Sequence, residues 1–175
     1  NTYFWEFQSN MLASYLGIYI LSTSTAFLIV PVLVRFYEKR TILLTAISFA
    51  ALIPPIPILL FTNGYLPSPG TWDLFFATIV FVYIANTSLS ASAIIRESML
   101  GDISDEVELD TNLGQQGLMY ASSSLIGKLN TGMGILMAGL ALEFIGFPQG
   151  SQVTPNSDHI FNLAMIQGPL VAVLM

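Results

Sequence analysis

Long apolar runs alternate with short polar breaks along this chain, and most of the runs are long enough to cross a membrane. They cover approximately residues 11–34, 42–62, 74–95 and 118–146, with a shorter run, 159–175, at the end of the chain. A helix rises about 1.5 Å per residue, so about 20 apolar residues cross a hydrocarbon core of about 30 Å. The pattern predicts an all-α protein, a polytopic transmembrane bundle of about five spanning helices, with the last one cut short. A charged connector over 96–117 separates the third span from the fourth.

The polar positions refine each element. Residues 1–10 (NTYFWEFQSN) carry Tyr3, Phe4, Trp5 and Phe7, amphipathic rings that suit headgroup depth. Ser22, Thr23, Ser24 and Thr25 lie mid-span in the first helix, where hydroxyls bond back to helix carbonyls and support close packing or line a wet cavity. The second span contains Pro54, Pro55 and Pro57, each lacking an amide donor, which predicts a kink. In the third, Tyr83, Asn86, Thr87 and Ser90 recur at i, i+3, i+4, i+7 and share one face. That face either packs closely against a neighbour or borders a polar pathway. In the fourth, Tyr120, Ser124, Lys128 and Thr131 form a stripe among packing glycines. The breaks at 63–73 and 147–158 are rich in turn residues, and Trp72 reads as an interfacial anchor.

Composition changes the solvent. Of 175 residues, 54% are hydrophobic and 9% charged, where soluble domains carry about 25% charged residues. Water cannot be the main solvent for such a surface. The net charge of −6 argues against nucleic acid, and much of it comes from the connector alone. The absence of cysteine excludes disulfides and thiolate chemistry. The chain opens on Asn1 and closes inside an apolar run at Met175, so it reads as a piece of a longer polypeptide.

Charge also predicts orientation. With five spans, Arg35, Lys39, Arg40 and Arg96 fall on one side of the bilayer, while Glu6, Asp73 and Asp158 mark the other. Cytoplasmic loops collect Lys and Arg, so the basic turn at 35–40 and the acidic connector are expected in the cytoplasm of a plasma or inner membrane.

Enzymatic signatures do not appear. No HExxH, GxSxG or phosphate-cradling glycine loop occurs, and His159, the one histidine, sits at a loop edge. Neither catalytic residues nor a protein-bound metal are predicted. The conspicuous chemistry lies between Met99 and Lys128. Asp102, Asp105 and Glu108 recur at i, i+3, i+6, drifting by about 60° per step around a helix. They read either as a solvated connector or as a gate whose carboxylates pair with arginines of a facing loop. Lys128 stands roughly 15 Å into its span, where a lysine costs about 2.5–3.5 kcal/mol to insert. Such a lysine is expected to face a polar cavity or an acidic partner.

These residues resemble the glycoside–pentoside–hexuronide:cation symporter family, the melibiose-permease-like branch of the major facilitator superfamily. Its segment S-M-x-x-D-I-x-D-x-x-E-x-x-T-G-x-R-x-E-G is echoed by Ser98, Met99, Asp102, Ile103, Asp105, Glu108, Thr111 and Gly117, with a lysine in the following helix at Lys128. Further landmarks are Tyr3-Phe4-Trp5, Glu38-Lys39-Arg40 and Ile145-Gly146-Phe147-Pro148. The resemblance extends over essentially the whole chain and implies the C-terminal half of a twelve-helix fold with alternating access.

It further implies cation-coupled symport of a sugar, glycoside or uronide. The coupling cation would be Na+ or H+, with its main ligands outside this stretch and no other cofactor. The implied partners are a sugar-like substrate, the lipid bilayer and the remaining N-terminal half of the polypeptide. Lys128, Tyr120, Ser124, Tyr83 and Asn86 are the candidate substrate and coupling cavity residues. Asp102, Asp105, Glu108 and Arg96 are the candidate cytoplasmic gate. Gly114 and Gln116 stand where the family pattern has arginine and glutamate, so this gate is expected to be wired differently. A lipid or amphipathic substrate in the same fold, or a non-transporting membrane scaffold, are the alternatives.

Overall fold

The computed structural model describes residues 4–144. The expected span at 159–175, the loop at 147–158, the Ile145–Pro148 landmark and His159 lie outside the described residues, as do Tyr3 and the last residues of the fourth span. The described residues form five α-helices and no strand: α1 (Ser9–Leu33), α2 (Lys39–Leu52), α3 (Pro55–Thr62), α4 (Trp72–Thr111) and α5 (Gln116–Phe144).

α2 and α3 together make one span, Lys39–Thr62, so the described part has four membrane-length apolar segments. The break between them falls where the prolines predict it. Ile53 and Pro54 keep helical dihedrals, but Pro54, Pro55 and Pro57 supply no amide protons. Pro55 therefore starts a new helix, a position where a missing donor costs nothing.

α4 organises the bundle, packing along both α1 and α2. It runs unbroken for 40 residues, about 60 Å, roughly twice the hydrocarbon thickness. Within the charged connector expected at 96–117, residues 96–111 continue α4, and only 112–115 separate α4 from α5. Charge does not break a helix when the residues are helix formers such as Glu, Met and Leu and no proline intervenes. Gly101 is the one weak point in this extension, worth about 1 kcal/mol. The helix has definite ends. Thr71 Oγ1 accepts from the Leu74 amide at 3.3 Å and Asp73 complements the positive end. At the other end Asn112 adopts a left-handed conformation, φ 53°, and its amide bonds Glu108 O.

Two apolar clusters hold the bundle. Near the start of α4, Trp5, Phe7, Met11, Tyr15, Leu74 and Phe75 are buried together. Trp5 and Phe7 are thus packed within the protein. Both rings turn inward, because Phe61, Tyr15 and Phe75 offer edge-on or tilted aromatic partners 5.3–6.0 Å away. The 4–8 segment is tied across to the following loop by Gly70 N–H to Trp5 O, 2.9 Å. Gly70 is at φ 75°, and a Cβ there would lie 3.5 Å from Glu6 O, so glycine suits both the dihedral and the approach. Trp72 stays exposed. Toward the other end, Val30, Ile42 and Ile95 form the second cluster.

Candidate functional site

The polar residues of the mid-membrane region meet between α1 and α4. Asn86 Nδ2 donates to Ser22 Oγ, which itself donates to Tyr19 O at 3.0 Å. Thr25 Oγ1 donates to Leu21 O at 2.8 Å, so the 2.7 Å contact between Thr25 and Tyr83 has the Tyr83 hydroxyl as donor. Thr23 and Ser90 hydroxyls lie 3.3 Å apart. The residues therefore form a ladder spanning two helical turns, with Ser22 wholly buried and Tyr83 and Asn86 half-buried. Of the two sequence readings of this face, these contacts are those of a packed, hydrogen-bonded seam. Replacing Asn86 with Ala should cost about 0.6 kcal/mol, at most roughly 1.7, the range for interhelical bonds in lipid. Thermal unfolding in detergent, in a double-mutant cycle with Ser22→Ala, measures it.

The charged groups gather at one end of the bundle. Lys39, at the start of α2, pairs with Asp102 in the extended half of α4 at 2.5 Å. The basic turn and the acidic extension are thus neighbours in space. The partner is the lysine and not an arginine. Arg96 pairs only with its neighbour Glu97, at 3.2 Å, and both are substantially exposed. Asp105 and Glu108 have no cation partner among the described residues. Gln116, the first residue of α5, donates through Nε2 to Asp105 Oδ1 and to Glu108 Oε2, both at 3.3 Å.

α5 meets the rest of the described structure chiefly through α4, close to this elbow. The Tyr120 hydroxyl approaches Gly101, 3.5 Å from where a Cβ would stand. Ser124 and Lys128, on the same helix stripe, are exposed. Lys128 lies about 18 Å beyond Gln116 along the axis and has no hydrogen-bond or ion-pair partner among the described residues. The described structure does not bring Lys128 into contact with Tyr83 or Asn86.

Three roles escaped the sequence reading. Lys39 as the partner of Asp102 had a signal, since it is one of three cations in a short turn. Gln116 as a bridge carried none beyond the acidic residues eight and eleven positions earlier. Ser104, buried with no partner for its hydroxyl among the described residues, lies about one turn from Gly101 and from Glu108 on α4. Nothing in its spacing distinguished it from the other small residues.

Four apolar membrane-length helical segments among the described residues, one of them running on into a charge-rich end, define an integral membrane protein of the helical-bundle class. The whole chain, residues 1–175, matches the family model described as MFS/sugar transport protein, and it belongs to that family of membrane transporters. It is also similar to an uncharacterized symporter of Synechocystis sp., 32% identical over 83 residues, which is 47% of this chain and 15% of that relative. No solved structure gives a significant match.

Proposed function

We propose that this chain is part of a secondary active transporter that moves a sugar, glycoside or uronide together with Na+ or H+ by alternating access. Family membership and the likeness to a symporter support transport. The observation that carries the finer reading is Lys128. It is a charged side chain deep in an apolar helix, open on its own side, with no counter-charge among the described residues. Insertion of such a group costs about 2.5–3.5 kcal/mol, and a polar path shared with substrate or cation offsets that cost.

In this reading Lys128, with Ser124 and Tyr120 on its stripe, borders the cavity, while Tyr83 and Asn86 hold the wall behind it. The Lys39–Asp102 pair and the Asp105–Glu108 elbow belong to the cytoplasmic gate, with the basic turn facing the cytoplasm. The test uses the full-length protein in proteoliposomes. A sodium or proton gradient should drive accumulation of a glycoside above equilibrium, and collapsing the gradient should abolish it. Uptake that ignores both gradients would overturn the coupling, and accumulation of amphipathic lipids alone would overturn the substrate class.

A further inference from the structure

We infer that Gln116 is the positioning residue that sets the angle between α4 and α5, and that it does so as a neutral clamp across two carboxylates. Its amide reaches Asp105 and Glu108 together, at 3.3 Å each. Carboxylates at i and i+3 on one helix repel each other, and an amide NH2 with two donors can bond both at once. The clamp closes a loop of only four residues. That loop begins at the left-handed Asn112 and passes Gly114, where a Cβ would stand 3.8 Å from Glu108 Oε1.

The geometry makes positions 114 and 116 complementary. A glutamate at 116 would add a third negative charge at the elbow. An arginine grown from position 114 would start beside Glu108 and could neutralise that charge. This chain instead has glycine at 114 and an amide at 116, so the elbow is held without any ion pair. The charged groups facing position 116 are Asp105 and Glu108 of α4. Lys39 of α2 is engaged by Asp102, and Arg96 by Glu97.

Because α5 touches the described bundle mainly here, rotation at this elbow would carry Lys128, about 18 Å further on. That consequence rests on the proposed transport function, but the clamp itself does not. Its test therefore reads a distance and not uptake.

Spin labels go on cysteines introduced at Leu109 and Leu118, exposed by 81% and 66%, in the full-length protein with a cysteine-free background. The label–label distance reports the elbow. At neutral pH, Gln116→Glu should lengthen and broaden the distance distribution. Lowering the pH to about 4.5 should partly restore it, because a carboxyl between two others has a raised pKa and, once protonated, donates again. Adding Gly114→Arg should restore it at neutral pH. Gln116→Met, which removes both bonds without adding charge, should give a smaller opening that does not respond to pH.

An unchanged distance in both single variants overturns the clamp. So does an opening in Gln116→Glu that neither acid nor the added arginine reverses, because that defect would not be electrostatic.

Discussion

Replacing Lys128 with Val in the full-length transporter should move stability and function in opposite directions. Removing an ammonium from deep within a membrane helix relieves an insertion penalty of roughly 2.5–3.5 kcal/mol. Insertion and thermal stability should therefore stay level or rise. In the cation-coupled transport proposed above, the same change should reduce the effect of the cation gradient on substrate accumulation by about 5–150-fold, the span of a coupling free energy of about 1–3 kcal/mol. A lysine serving only to pack or to snorkel would give the reverse: little change in coupling and, if it paired within the protein, a loss of stability. Cation-dependent uptake and thermal unfolding measured on the same preparation separate the two. Unchanged cation dependence removes Lys128 from the coupling pathway.

The second large effect is structural. Phe75 is 2% exposed at the start of α4 and sits edge-on to Phe7, Tyr15, Trp72 and Phe76, with ring centroids 5.5–5.6 Å away. Phe75→Ala should destabilise the bundle by about 3 kcal/mol, the low end of the range for Phe→Ala in a core. The low end applies because part of that range is transfer from water, and helices surrounded by lipid gain little from that transfer. What remains is the cavity and the lost ring–ring contacts, worth about 0.5–1.5 kcal/mol per pair.

The loss should be local first. The 4–8 segment has no regular secondary structure and is held largely by these rings, so proteolysis near the N-terminal end should accelerate before global unfolding. Phe76→Ala, one position on but 61% exposed, should shift the midpoint far less. Equal effects from the two would mean that the cluster is not what fixes the helix starts.

The charge-rich end shows how far spacing alone can reach. Three carboxylates at i, i+3, i+6 were visible as a partly shared face, and the face proves to be divided. Asp102 turns to Lys39 on α2, whereas Asp105 and Glu108 turn to Gln116 on α5. The drift of about 60° at each step, about 120° across the three, lets one helix address two neighbours. A sequence shows that drift but not which neighbours stand on either side. The connector at 96–117 meets the same limit. Polar composition signals departure from the membrane but does not say where the helix ends. A helix rich in Glu and Asp is stable in water, so α4 leaves the bilayer and keeps its hydrogen bonding until Asn112 ends it.

The seam between α1 and α4 was half legible. Tyr83, Asn86, Thr87 and Ser90 shared a face by periodicity, and Ser22 to Thr25 formed an obvious polar cluster. Their meeting depended on how two helices cross, and only that crossing pairs Asn86 with Ser22 and Tyr83 with Thr25.

What the sequence determined by itself is the medium and the helices. Within lipid, backbone donors must be satisfied inside the segment, so a run of about 20 apolar residues is enough to specify a spanning helix without reference to anything else. The prolines at 54, 55 and 57 are equally local, and so is their break. What the tertiary structure decided is which faces touch. In these spans both the buried and the lipid-facing sides are apolar, so the hydrophobic contrast that marks the inner face of a helix in water is nearly absent. The packing of Trp5 and Phe7 against Phe61, Tyr15 and Phe75 is therefore decided only in three dimensions, and so is the role of Gln116, which the elbow brings between two carboxylates.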